Sequence, residues 1–350
     1  MKKVAIIACF IGKVHNYFGL WLKSAAANPT IDFWLLGKMN LEDYVLPPNC
    51  HVRECTLEEL EQLAKVRLNK PDAIIFKPYK TGDYRPMFGE MFEEDFLKGY
   101  DVWGYCDIDI VFGNLRKFLT DEKLEQYDKI YPLGHLSFYR NTPEINRRWR
   151  LPDARYDIDT VLTAKEVFAF DEWRGIHNIY MRNKFPFYRN VEYASFSPTL
   201  HRFRFENRSD ARYERNPDNY AHMCFYWEDG AAYRAFNEGD KRHPQIKTEE
   251  YVYMHFQQRR FPLPTQEVLD SKAFFCTPDG FFVKERPGVP SLEEMDTYNP
   301  LPFGGVLGEK LLLLLASFRR FRRRFIHKHF NVKGSFAKRD KKLHDSRKWS

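Results

Sequence analysis

Nowhere in its 350 residues does this chain string together the roughly eighteen apolar residues that a membrane-spanning helix needs. Cysteine is scarce and poorly placed for metal. Of Cys9, Cys50, Cys55, Cys106, Cys224 and Cys276, only Cys50 and Cys55 are close in sequence, and no second pair completes a zinc-type set. With no secretory leader, reduced thiols are expected rather than a disulfide framework. The start of the chain imitates a leader, although a strand is expected there instead. MKKVAIIACF carries two lysines and an Ile-Ala-Cys like a lipoprotein cleavage site, yet its apolar run is at the short end for a signal core. A buried first strand from Val4 to Cys9, followed by loop and amphipathic helix, explains the run more simply. No internal repeat is present, so a repeat array is not expected. Net positive charge is missing from the body. The chain holds 55 Lys/Arg and 48 Asp/Glu. Residues 301–350 take 14 and 3 of these, which leaves 41 against 45 in the first 300. An acidic body gives little support to a nucleic-acid-binding role.

What is present is size, aromatic bulk and an α/β pattern. The length allows one large α/β domain or two smaller ones. Phe 31, Tyr 20 and Trp 7 suit a ring-lined cleft or simply a bulky core. Residues 3–10 and 31–37 read as buried strands around a helix at Phe18–Ala27, a βαβ opening that predicts a parallel sheet. TLEELEQLAKVRL starts with a capping box, Thr56 and Glu59. After PDAIIF and KPYKTGDYRPMFGEMF, helical in its latter half, short strands are expected at 129–133 and in HLSFYRN. A helix and the loop FDEWRGIHN are expected within 160–185, and aromatic strands from 190 to 285.

The densest signal is YDVWGYCDIDIVFG, Tyr100 to Gly113. A β-prone run stops at Asp107-Ile108-Asp109 and resumes at Ile110. Residues two apart on an extended chain share a side, so both carboxylates would project from one strand end, about where open α/β sheets bind ligands. Paired oxygen donors suit a divalent cation holding a diphosphate. An Asp-x-Asp triplet arises about once by chance in a chain this long, and Asp157-Ile158-Asp159 is a second. That one lacks a leading strand and reads as a helix start, with Asp159 or Thr160 near the N-cap.

The run from Lys77 to Leu119, with IACFIGKVHNYFGLWLKSAAANPTIDFWLLG, GHLSFYRN, FDEWRGI and YMHFQQR, resembles a bacterial family of GT-A-type glycosyltransferases of capsule, lipopolysaccharide and exopolysaccharide clusters. The similarity covers about residues 3 to 260. It implies a GT-A fold, a central mixed sheet flanked by helices. It further implies that Asp107 and Asp109 ligate Mn²⁺ or Mg²⁺, with His255 completing the metal shell. A lone histidine is otherwise usually a packing residue. By the same resemblance Asp83, Arg85, Lys77, Asp107, Ile108, Gln257 and Arg259 would contact the donor, with Lys80 and Arg260 nearby. Cys9, Phe10, Ile11 and Gly12 would lie by its base and ribose. Asp171 or Glu172 would be the catalytic carboxylate. Because adjacent residues diverge, only one of the two is expected to face the cleft. His135 would line the sugar pocket.

The Pro-rich text at 287–305 reads as a linker after a catalytic domain at 1–286. From 306 to 330 an amphipathic basic helix is expected. Leu311, Leu314, Leu315, Phe318, Phe321, Phe325 and Phe330 fall mostly on one face, with Arg319, Arg320, Arg322, Arg323 and Arg324 around the other. Such a helix suits the surface of an anionic leaflet, at about 1 kcal/mol per basic residue. Residues 331–350 read as a disordered tail. The sequence thus predicts a metal-dependent hexosyltransferase, peripheral on the inner face of the cytoplasmic membrane. It would use a nucleotide sugar, UDP-linked by preference, and a lipid-linked glycan acceptor. The alternatives are a non-catalytic sugar-nucleotide adaptor and a haloacid-dehalogenase-type phosphatase. In the phosphatase the first Asp would be the nucleophile, but its motif normally follows the first strand. Truncation after Pro300 is expected to abolish binding to anionic liposomes at low salt; unchanged flotation would remove the membrane role.

Overall fold

The computed structural model describes residues 1–197, 202–205, 218–315 and 318. They fall into two units, Met1–Asn299 and Pro300–Ser350. In chain order the strands of the first are β1 (Val4–Cys9), β2 (Ile31–Leu36), β3 (Cys50–Arg53), β4 (Val102–Cys106), β5 (Ile110–Phe112), β6 (Lys129–Ile130), β7 (Leu136–Arg140) and β8 (Phe187–Tyr188). Then come β9 (Ala194–Ser195), β10 (Met223–Glu228), β11 (Ala231–Asn237), β12 (Ile246–Tyr251), β13 (Tyr253–His255), β14 (Ala273–Thr277) and β15 (Gly280–Val283).

The main sheet has the order β3-β2-β1-β4-β7-β6-β8. Its first four strands are mutually parallel, and β7 runs antiparallel to β4 and β6. This is the central mixed sheet expected from the sequence. β1 lies inside it and is buried at every residue, which is why VAIIAC is apolar throughout rather than alternating. Its side chains split by twos. Val4, Ile6 and Ala8 pack with Phe18, Trp21 and Leu22 of helix α1 (Phe18–Ala26) on one face. Ala5, Ile7 and Cys9 pack on the other face with Leu60 and Ala64 of α2 (Leu57–Arg67) and with Phe88, Met91 and Phe92. Helices therefore cover both faces. The α2 capping box forms as its sequence requires, Thr56 and Glu59 bonding each other's backbone. Gly104 in β4 is required by space: a Cβ there would lie 2.5 Å from the Ser137 carbonyl oxygen.

Two smaller sheets complete the unit. One is antiparallel, β12-β11-β10-β14-β15, and its inner face packs Phe225, Trp227, Phe236 and Phe274 against Tyr17 and Leu20. The other, β5-β13-β9, joins three distant parts of the chain. It carries the site described below.

Local expectations differ from the structure in four places. The strand expected at 129–133 stops at Ile130, because Tyr131 takes φ 66°. Residues 160–185 form two helices, Ile158–Thr163 and Ile176–Arg182. The first is capped by Asp157, whose carboxylate accepts from the Thr160 amide at 2.9 Å, so the cap precedes the expected Asp159 or Thr160. Within the expected linker, residues Leu292–Tyr298 are helical, started by a capping box of Ser291 and Glu294. Met295 is fully buried beside Cys224, Tyr226 and Phe275. The proline density of this segment obscured its S-L-E-E start signal.

In the second unit, residues 305–315 are helical. Leu307, Leu311, Leu314 and Phe318, spaced for one helical face, are exposed. The remainder of the expected basic helix (316–317 and 319–330) and the 331–350 tail lie outside the described residues.

Asn299 ends the first unit by tying segments together. Its side chain bonds both the amide and the carbonyl of Phe203 and the carbonyl of Met223. Asn299→Ala leaves those buried groups unpaired and is expected to lower the unfolding free energy by about 2–3 kcal/mol, read by urea denaturation.

Candidate metal centre and its cavity

β4 leaves the main sheet at Cys106, and the chain bends through Ile108–Asp109 before β5 begins. Asp107 and Asp109 therefore flank a bend instead of sharing one extended strand. They converge nevertheless, because the backbone is clamped on both sides. The Asp107 amide donates to the His135 carbonyl at 3.1 Å, and Trp21 Nε1 donates to the Asp107 carbonyl at 3.2 Å. On the far side the Phe256 amide donates to the Asp109 carbonyl at 3.0 Å.

His255 arrives through pairing. β13 runs antiparallel to β5 with His255 opposite Ile110. Its Nε2 lies 3.4 Å from Asp109 Oδ1 and 3.9 Å from Asp107 Oδ2. One ligand atom from each of Asp107, Asp109 and His255 lies within 4.8 Å of the others. Two carboxylates and an imidazole are a donor set that fits Mn²⁺ or Mg²⁺. Burial acts to raise the Asp109 carboxyl, but His255 beside it and the Gln258 amide hold it well below the usual carboxylate range. His255 is shifted in the complementary sense: burial opposes its charge, and Asp109 overrides burial and raises it. His135 stacks on the His255 ring, centroids 4.3 Å apart, and its Nδ1 meets Tyr253 Oη at 2.5 Å. Burial and the neighbouring His255 keep His135 far below the ordinary histidine range, hence neutral.

The cluster opens on a cavity of about 430 Å³ lined by Cys9, Phe10, Ile11, Arg85, Asp107 and Asp171, among others. Arg85 spans it. Its guanidinium donates to Asp107 at 2.5 Å, to Asp171 at 3.1 Å and to the Gly134 carbonyl at 2.9 Å. Asp171 approaches Gly134 so closely that a Cβ there would sit 2.4 Å from its Oδ2. Burial pushes the Asp171 carboxyl up to about 8, with Arg85 pulling the other way. Glu172 also lines the cavity. Divergence of neighbours holds for extended chain, whereas here the Glu172 amide bonds back to Ala169, a residue with φ 51°, and both acids reach the cleft.

This chain matches, over residues 6–285, a family described as "Family of unknown function (DUF6625)". It belongs to that family. No curated protein sequence matches. Solved structures with similarity include galactosyltransferase LgtC in complex with donor and acceptor sugar analogues, at 15% identity over 56% of this chain and 76% of that one, TM-score 0.31. An active-site mutant of LgtC aligns at 13% over 72% and 87%, TM-score 0.35. Mouse xyloside xylosyltransferase 1 aligns at 9% over 56% and 88%, TM-score 0.32.

Several expected donor contacts sit elsewhere. Asp83 is fully buried. Its carboxylate accepts from the amides of Phe168 and Phe170 and pairs with the equally buried Lys80 at 2.8 Å, so it fastens the loop that presents Asp171. Lys80 also spends its protons on the carbonyls of Val161 and Glu166, and is unsuited to binding phosphate. Gln257 turns to Ser195, Arg259 donates to the Ser197 carbonyl at 2.6 Å, and His135 lies behind His255 rather than at the cavity wall. Gly12 and the exposed Lys77 do not line the cavity, although Ile11 and Pro78 beside them do. The cavity adds His15, Tyr79, Gly134 and Gln258, which sequence reasoning missed. Gln258 replaces Gln257 because residue 257 takes φ 50° and turns the chain over. Asp83→Ala strands the Lys80 charge and is expected to cost about 3–5 kcal/mol of stability. Lys77→Ala should stay within about 0.5 kcal/mol. Thermal and urea melts of the two variants check both values.

Proposed function

We propose that this protein is a metal-dependent glycosyltransferase of GT-A type. It would transfer a hexose from a nucleotide sugar, UDP-linked by preference, to a growing and lipid-linked surface glycan. One observation carries the reading: Asp107, Asp109 and His255 converge at the edge of a cavity that also holds a fixed arginine and two further acids. The sequence resemblance over residues 3 to 260 supports it. Bound Mn²⁺ or Mg²⁺ would neutralise the diphosphate leaving group, in place of general-acid assistance.

The chain's own residues supply the rest. Cys9, Phe10 and Ile11, where β1 ends, offer a wall for base and ribose. Arg85 brings a rigid cation to the cavity, suited by its planar fork to phosphate or sugar oxygens. Asp171, raised by burial toward neutral pH, suits a base that takes a proton from an acceptor hydroxyl in an inverting reaction. In a retaining reaction it would position the acceptor. The exposed apolar face of the 305–315 helix and the arginines that follow it in sequence support attachment to an anionic leaflet on the cytoplasmic side.

Isothermal titration with a panel of nucleotides and nucleotide sugars, with and without Mn²⁺, tests the reading. One nucleotide is expected to bind only with metal, and Asp109→Ala is expected to abolish that binding. Failure of a folded sample to bind any nucleotide would sink it, and metal-dependent binding without turnover would favour the adaptor.

A further inference from the structure

Ser195 is one of only two residues in β9, and the parallel pairing of β9 with β13 sets it opposite His255. Both side chains are buried. Ser195 Oγ lies 3.1 Å from His255 Nδ1, while Nε2 of the same ring is the nitrogen 3.4 Å from Asp109. Gln257 Nε2 donates to that same Oγ at 3.0 Å. This link depends on an uncommon backbone. Gln257 and Gln258 take left-handed φ values of 50° and 58°, which send one side chain back to Ser195 and present the next amide to Asp109 at 2.5 Å. A single double turn thus serves both the histidine and a carboxylate.

An amide nitrogen can only donate, so Ser195 Oγ acts as acceptor toward Gln257, and a hydroxyl oxygen can accept twice. When Nε2 ligates a cation the ring proton sits on Nδ1, and Ser195 Oγ is placed to accept it. We propose that Ser195, held by Gln257, is a positioning residue that fixes the His255 ring with Nε2 aimed at Asp107 and Asp109. The inference rests on reading those three side chains as a metal centre. Ser195 touches neither cation nor substrate and acts through the imidazole. An acceptor fixed behind a histidine ligand sets its ring orientation and raises its basicity, and loss of such an acceptor typically weakens metal binding about 10–100-fold. The ring has little freedom to escape this constraint, since His135 stacks against it with an interplanar angle of 22°.

Mn²⁺ titration calorimetry on the full chain tests the proposal, with Ser195→Thr as the conservative rescue. Ser195→Ala is expected to weaken Mn²⁺ binding about 10–100-fold. Ser195→Thr, which keeps the hydroxyl, is expected to restore it. Wild-type affinity in Ser195→Ala, or a Thr variant as weak as the Ala variant, would each overturn the proposal. If Ser195→Ala does not fold, Gln257→Leu is subjected to the same readout, with a loss in the same direction expected. Wild-type protein that binds no Mn²⁺ would instead refute the metal-centre reading, and this inference with it.

Discussion

A ladder of three residue pairs holds this site together. β5 and β13 meet as Ile110–His255, Val111–Met254 and Phe112–Tyr253, and every one of those six residues is buried. Because the pairing is antiparallel and its register is locked by burial on both faces, a slip of one residue would turn His255 away from Asp109. The apolar cost of such a slip, with Phe112 and Met254 displaced from their clusters, is what makes the histidine's position reliable. Chemistry is placed here by packing.

Electrostatics then works within that frame. Asp107, Asp109 and Asp171 line one cavity, and burial acts to drive Asp109 and Asp171 toward the neutral form. The structure answers with two cations of different kinds. His255 offsets Asp109, while Arg85 bridges Asp107 and Asp171. Arg85 is always charged and planar, so it can join two carboxylates with parallel donors, which a lysine could not do with comparable geometry. A buried pair of a different sort, Lys80 with Asp83, lies behind the loop and sees no solvent. One partner of each pair lies within TGDYR, Asp83 in the pair with Lys80 and Arg85 in the pair with Asp107. One fastens the scaffold and the other faces the cavity.

Much of the architecture was legible because its signals are local. The β1-α1-β2 opening follows from VAIIAC, an amphipathic FGLWLKSAA and IDFWLL. The capping box at Thr56 needs only four residues to be recognised. The carboxylate pair at Asp107 and Asp109 stood out because it interrupts an apolar strand. Less legible were places where a short polar segment takes its structure from distant partners. Asp83 resembles a donor contact until the Phe168 and Phe170 amides are seen to close over it. Ser195 carries no local signal at all, since β9 exists only through its pairing with β13. Gln258 stands at the cavity where Gln257 was expected, because two consecutive left-handed residues there are not signalled by glycine or asparagine.

By itself, then, the sequence determined which segments must be buried, where the parallel strands and the capped helix α2 run, and that two carboxylates stand at a break in a strand. These follow from hydrophobic period and capping chemistry, which act over a few residues. Resemblance could name His255, Arg85 and Asp171 as candidates, but tertiary structure alone brought them to those carboxylates and decided which charged residues hold loops instead. Residues 85, 107, 171 and 255 are far apart along the chain. Their meeting depends on sheet register and on the close packing of a glycine against a carboxylate, and neither is written in any one stretch of sequence.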